Sequence, residues 1–239
     1  MADNDRMRQQ FTKPQGDTEA ERVQDQVQRQ AGVSGASSGG GTLFTEPVLV
    51  VNQKAKIIEL VNEYAVFDQN GNQIGFVCEI GQTALKKAAR FVSRLDQFMT
   101  HTYEIRDASS QPVLVLTRPR KIMKSSFVVS RPDGSEVGNV KQNNMFGKIR
   151  FALEAGGQTV GSLNAENWRA WNFNVQDPAG NEVARITKTW EGLAKTVFTT
   201  ADNYVLEIKA PLEDPLLSLV VATALCVDTA LKQDARGFN

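Results

Sequence analysis

Asp214-Pro215-Leu216-Leu217-Ser218-Leu219-Val220-Val221-Ala222-Thr223-Ala224-Leu225-Cys226-Val227-Asp228-Thr229-Ala230-Leu231 is the stretch whose reading decides the fold. Asp214 offers an N-cap carboxylate, Pro215 is pre-set for the first helical position, and Glu213 with Asp214 suits the positive end of a helix dipole. Leucine, valine and alanine then occupy every side of the cylinder, so the helix, expected over about 214–232, has no solvent face. Its uncharged run from Leu216 to Val227 is well short of the ~20 residues that a bilayer crossing needs. A protein core or a partly entered lipid layer would enclose it, and the rest of the chain favours the protein core.

Upstream, short strand-like runs alternate with turns. Pro47-Val48-Leu49-Val50-Val51 leads, then Ile57-Ile58-Glu59-Leu60-Val61 and Tyr64-Ala65-Val66-Phe67. A pattern then recurs: an apolar strand end, a turn rich in Asp and Gly, and a strand restarting with a β-branched residue. Its copies are centred on Asp68-Gln69-Asn70-Gly71, Pro132-Asp133-Gly134, Ala155-Gly156-Gly157 and Asp177-Pro178-Ala179-Gly180, with a degenerate one, lacking glycine, on Asp107-Ala108-Ser109-Ser110. Each reads as a β-hairpin in which Asp, Asn or Pro starts the turn and Gly supplies positive φ. The small residue that follows Ile74, Val137, Val160 and Val183 (Gly75, Gly138, Gly161, Ala184) points to a recurring close backbone approach. Such hairpins make roughly ten to twelve antiparallel strands, a number that curls and closes to remove its edges. A barrel that large has a lumen too wide for strand side chains alone to fill. The apolar C-terminal helix fits that lumen.

The remaining segments divide simply. Residues 1–41, polar and ending in Gly35-Ala36-Ser37-Ser38-Gly39-Gly40-Gly41, read as a disordered tail that buries almost nothing, with the folded domain spanning 42–239. Glu19 to Gln30 supports a transient helix with too few apolar positions to dock. The polar first thirty residues lack an apolar h-region, so no secretory leader is expected. Cys78 and Cys226, each among apolar neighbours, are expected to be buried free thiols in a reducing, cytoplasmic compartment.

Lys and Arg together number 27, as do Asp and Glu, yet the charges are sorted along the chain. Between Gly81 and Arg131 stand Lys86, Lys87, Arg90, Arg94, Arg106, Arg118, Arg120, Lys121, Lys124 and Arg131, against Asp96, Glu104 and Asp107. A basic middle on a neutral chain suits an anionic partner, lipid or nucleic acid, or forms a solvated surface. In Gly81 to Leu95 a helix is expected outside the barrel, with Leu85, Ala88, Phe91, Val92 and Leu95 on one side and Lys86, Lys87, Arg90 and Arg94 on the other. Such a helix lies on an anionic membrane or packs on the barrel with its basic back in solvent. Phe127 alone interleaves the second basic run, which argues against single-strand stacking and hence against a nucleic-acid partner.

Covalent catalysis finds little support. The single histidine, His101, lies in a strand-like stretch, and no P-loop or zinc-ligand spacing is present. The two tryptophans of Trp168-Arg169-Ala170-Trp171 would face opposite sides of a strand, and Trp190 is a third candidate interfacial residue. An enzyme is not expected.

Thr199-Thr200-Ala201-Asp202-Asn203-Tyr204, Trp190-Glu191-Gly192, the helix starting at Pro215 and the Val227-Asp228 pair, in that combination, resemble the phospholipid scramblase family, particularly its compact bacterial members. The likeness runs from about Leu43 to Lys232. Together with a barrel around a C-terminal helix it implies the architecture of the Tubby C-terminal domain and its relatives. The resemblance implies ATP-independent transbilayer movement of phospholipids, with calcium stimulation in eukaryotic members. Mapped here, the calcium-type segment would begin at Thr200, include Asp202 and Tyr204, and close near Pro211. Thr200 and Pro211 replace the acids at its ends, leaving Asp202 and Tyr204 as a weak metal set, so no cofactor is expected. The palmitoylated cysteines of eukaryotic members have no counterpart, and no covalent lipid anchor is expected.

These readings converge on a cytoplasmic protein peripherally associated with the plasma membrane, its partner an anionic phospholipid surface. The expected headgroup contacts are Lys86, Lys87, Arg90, Arg94, Arg118, Arg120, Lys121 and Lys124. The alternative is a Tubby-like module that binds headgroups and moves nothing.

Overall fold

The computed structural model describes residues 18–34, 39–53, 62–80, 100–119, 126–143, 149–166, 172–189 and 203–225 of the 239-residue chain. The helix expected at 81–95, the three tryptophans, Cys226 and the continuation of the last helix to 232 lie outside the described residues.

Twelve strands form a closed antiparallel barrel: β1 Val48–Gln53, β2 Asn62–Phe67, β3 Gln73–Ile80, β4 His101–Asp107, β5 Pro112–Arg118, β6 Ser126–Ser130, β7 Glu136–Gln142, β8 Arg150–Ala155, β9 Gln158–Ala165, β10 Asn172–Gln176, β11 Glu182–Thr189 and β12 Asn203–Ile208. Each strand pairs with its neighbours in sequence, and β1 closes against β12 with Leu49 opposite Leu206 and Val51 opposite Tyr204. Closure leaves no unpaired edge.

Period-two alternation sorts the side chains. Tyr103 and Ile105 of β4, Leu114 and Leu116 of β5, Phe151 and Leu153 of β8, and Phe173 and Val175 of β10 point inward and are buried. They pack in one core with Leu219, Val220, Val221, Ala222, Ala224 and Leu225 of the C-terminal helix, residues 216–225. Four consecutive helix residues, 219 to 222, have no exposed surface, so every side of the helix is covered. Its two hydroxyls find partners locally: Ser218 Oγ donates to Asp214 Oδ1 at 2.6 Å and Thr223 Oγ1 to the Leu219 carbonyl at 2.6 Å. Neither hydroxyl therefore enters the lumen unpaired. The expected barrel around an enclosed apolar helix is the observed architecture.

The hairpin motif has the geometry its residues imply. Asp107 Oδ1 accepts from the Ser109 and Gln111 amides at 2.8 and 2.9 Å, and Asp177 repeats the arrangement with Asn181. Five hairpins carry a register shift beside the turn, at Val66/Phe67, Ile105/Arg106, Val129/Ser130, Leu153/Glu154 and Val175/Gln176. The close approach expected after the turns is present. A Cβ on Gly161 would sit 2.8 Å from Leu216 Cδ1 and 2.9 Å from the Gln176 carbonyl, so glycine there lets the helix enter.

The N-terminal segment departs from expectation. Residues Glu19–Asp25 form a helix, α1, continued by a π-helical turn over Gln26–Gln30. Thr18 and Glu21 close a capping box, with Thr18 N donating to Glu21 Oε2 at 2.7 Å. Val23, Val27 and Val33 are buried against the outward side chains Val48 and Val50 of β1, Ala65 and Phe67 of β2, and Val205 of β12. The expectation that nothing before residue 42 docks fails for 18–34, because two valines one turn apart meet an outer strip that is itself apolar. The signal lay in Val48-Leu49-Val50-Val51, an unbroken apolar run that needs cover on both faces.

A chain ending at Glu213 is expected to lose the sharp thermal transition of the full chain, because the barrel would close on an empty lumen. Leu219→Ala should lower unfolding free energy in urea by about 2–5 kcal/mol, the range for emptying a fully buried leucine site.

Candidate functional site

The two mouths of the barrel differ in chemistry. All five hairpin turns open on one mouth, as does the link from β12 to the C-terminal helix. Here the helix is fastened. Asp214 Oδ1 accepts from Ser218 N at 3.2 Å, and its other oxygen pairs with Arg131 of the β6–β7 turn. Burial pushes the Asp214 pKa up, but the Ser218 hydrogen bonds and the Arg131 charge outweigh it and hold it below the usual carboxylate value. At the same mouth, Lys209 Nζ lies 2.6 Å from Glu182 Oε1, and Arg185 Nε donates to the same oxygen at 2.8 Å. The Arg185 hydrogen bonds, reinforced by Lys209, hold the Glu182 carboxyl down to about 2 against partial burial.

At the opposite mouth, the inward positions change from apolar to polar at the strand ends. Glu79, His101, Arg118 and Gln142 are all buried, each two residues nearer this mouth along its own strand than the apolar Val77, Tyr103, Leu116 and Val140. His101 Nδ1 lies 2.6 Å from Glu79 Oε1, with both side chains at most 1% exposed. Arg118 stands directly across the ladder from His101. The sequence reading missed this layer because it weighed His101 only as a catalytic base. Alternation along Val77-Cys78-Glu79 and His101-Thr102-Tyr103 would have placed both residues on the lumen side.

The expected headgroup contacts separate on this frame. Arg118 is 3% exposed and turned into the barrel, so it does not present its guanidinium to an outside surface. Arg106 donates to Glu104 and, at 3.0 Å, to the Ser110 carbonyl, so the basic excess is partly used internally. Lys86, Lys87, Arg90, Arg94, Arg120, Lys121 and Lys124 lie outside the described residues. The two segments that carry them connect Ile80 to Thr100 and Pro119 to Ser126, spanning four neighbouring strand ends at the polar mouth. Of the metal candidates, Asp202 lies outside the described residues, whereas Tyr204 is an inward core residue at 2% exposure. Among the described residues no cluster of three metal-ligating side chains occurs.

The outward positions bear on membrane association. They include Thr102, Glu104, Arg106, Asn139, Lys141, Glu154, Asn164, Asn174 and Arg185; the apolar exceptions are the strip of Val48, Val50, Ala65, Phe67 and Val205 under α1, Phe76 opposite Ala65, and residues such as Val115 and Val128. A membrane-spanning barrel carries its apolar band outside and its polar residues within; here the arrangement is reversed. Among the described residues no helix is long and apolar enough to cross a membrane.

A twelve-stranded barrel with an apolar inside, a polar outside and an enclosed C-terminal helix defines the structural class. The family model described as Scramblase matches residues 33–231, and the chain belongs to that family. A phospholipid scramblase family protein of Schizosaccharomyces pombe is 24% identical over 189 residues, covering 71% of this chain and 48% of that protein. The Saccharomyces cerevisiae protein named altered inheritance rate of mitochondria protein 25 is 23% identical over 197 residues, covering 69% of this chain and 59% of that protein. The chain thus spans about half the length of the curated relatives it matches. The X-ray structure of an Arabidopsis thaliana protein, 16% identical, covers 80% of this chain and 99% of its own at a TM-score of 0.44.

Glu182→Gln is expected to lower the urea midpoint at neutral pH. Because the folded carboxyl is held near 2 against an ordinary 4.5, its contribution is present above 4.5 and disappears as pH falls through about 2. Urea titrations of both proteins across that window should show the gap between them closing toward the acid end.

Proposed function

We propose that the protein acts on phospholipids at a membrane surface in the manner of a scramblase, promoting ATP-independent movement of lipid between leaflets. Membership of the Scramblase family carries this reading. A barrel with a polar exterior and a sealed helix suits peripheral attachment, with the basic segments 81–99 and 120–125 meeting anionic headgroups beside the polar mouth. The surface proposed is the cytoplasmic face of the plasma membrane, where anionic lipid is concentrated. No catalytic step or bound metal enters the proposal.

One observation favours a second reading, a Tubby-like module that holds headgroups without moving them. The helix has no exposed face and cannot span a bilayer while it fills the lumen.

Vesicle flotation and a proteoliposome quenching assay separate the two. In flotation, the protein should bind vesicles containing phosphatidylserine more strongly than pure phosphatidylcholine vesicles, with binding weakening as salt rises. Reversing Lys86, Lys87, Arg90 and Arg94 to glutamate should abolish the preference, and an unchanged preference would move the contact elsewhere. With labelled lipid in sealed proteoliposomes, dithionite should quench beyond the outer leaflet as protein is added. Quenching that stops at the outer leaflet would leave binding as the function.

A further inference from the structure

The barrel's exterior is polar with scattered exceptions, save for one apolar cluster. Val48 and Val50 of β1, Ala65 and Phe67 of β2, and Val205 of β12 share the outer face of three neighbouring strands, and α1 with its π-turn lies over them. We infer that residues 18–34 are a displaceable strap, and that its release bares this strip for insertion into the interfacial region of a bilayer. The inference rests on the membrane-surface reading above and names a contact distinct from the basic segments.

Several features make the strap separable. Its ordering bonds are largely its own: the capping box, the Arg22–Glu19 pair at 3.0 Å and the Arg29–Asp25 pair at 3.0 Å all survive release. Its contacts with the barrel include three valines, Ala31, the approach of Ala20 to Gly71 and the bond from Asn52 Nδ2 to Glu19 Oε1 at 3.2 Å. Docking also buries polar atoms without compensation. Gln26 Oε1 and Asn52 Oδ1, in side chains 2% and 9% exposed, have no hydrogen-bond partner among the described residues. Uncompensated burial of this kind weakens the contact it accompanies. Gly39 and Gly40, with φ of 69° and 80°, stand between the strap and β1, where Gly40 N donates to Asp68 Oδ2 at 3.3 Å.

The strip itself suits a lipid phase better than a protein partner. It is the convex outside of a barrel, built of aliphatic and one aromatic side chain on strands whose backbone bonds are already made within the sheet. It offers neither a free strand edge for β-addition nor a groove for a helix beyond the bed of the strap. A bilayer interface requires neither.

The β2–β3 turn provides a way to release the strap. A Cβ on Gly71 would fall 2.6 Å from Ala20 Cα, which is backbone and cannot yield without moving α1. Gly71 has φ of 85°; Gly134 has the same conformation at 88° in the β6–β7 turn, with nothing within 4 Å of its Cβ position. Gly71→Ala therefore adds strap displacement to a turn strain that Gly134→Ala shares.

The test compares the full chain, Gly71→Ala and Gly134→Ala by amide hydrogen exchange and by flotation on pure phosphatidylcholine vesicles, which exclude the headgroup-charge contribution. Gly71→Ala should speed exchange of amides in 19–33 by about tenfold over Gly134→Ala, with core strands unchanged. It should also raise the bound fraction on neutral vesicles several-fold, and adding Val50→Ser should reverse that gain. Should Gly71→Ala not fold, Ala20→Leu presses on the same contact from the strap side and leaves the turn intact. Equal strap exchange in the two glycine variants, or faster exchange with unchanged neutral-vesicle binding, would overturn the inference. A parallel flotation in which the full chain shows no preference for phosphatidylserine vesicles, with the neutral-vesicle gain of Gly71→Ala retained, would overturn the basic-segment reading alone.

Discussion

The enclosure of a helix with no polar side governs this molecule. An apolar cylinder of that kind is soluble only inside something, and the smallest sheet that surrounds it is a large closed barrel. Twelve strands, an even number, allow β1 to meet β12 antiparallel and complete the ring. Apolar side chains then face inward on the strands, and the outside is polar apart from the strip under α1 and scattered residues. The largely polar exterior and the burial of the helix are one constraint seen from two sides. The same constraint makes the fold the reverse of a membrane-spanning barrel and assigns any membrane contact to the exterior or to a rearrangement that frees the helix.

The two mouths divide the work of holding and presenting. At the turn mouth, bulges and small inward residues let the helix enter, while Asp214, Arg131 and Ser218 fasten its start and Glu182 with Lys209 fastens the strand before it. The five hairpin connections there are two to five residues long. The other mouth is lined by Glu79, His101, Arg118 and Gln142, and the longer connections spring from it. A buried acid beside a histidine in a lumen otherwise filled with leucine and valine is tolerated because each supplies the other's hydrogen bond at 2.6 Å.

Much of this was legible in local pattern. The recurring Asp–Gly turns fixed hairpin connectivity, the small residues after them anticipated the close contacts at Gly75, Gly138 and Gly161, and the uninterrupted Leu–Val–Ala run demanded an enclosure. The docked strap was not read, since Val23 and Val27 alone make a weak amphipathic signal. Only the assembled exterior of β1, β2 and β12 supplies the surface that gives them a partner. Arg118 was grouped with the solvent-facing cations by charge alone, although its place in the β5 alternation, two residues beyond Leu116, puts it in the lumen.

Periodicity and turn chemistry, which act over a few residues, were enough for the sequence to determine hairpins, barrel and helix plug. Which residues meet across the barrel was decided by tertiary structure: Glu79 with His101, Arg131 with Asp214, and α1 with the outer strip. The physical reason is range. A side chain's inward or outward sense follows from its own strand, but its neighbour follows from the registers of strands distant in sequence, and those registers are set only when the ring closes.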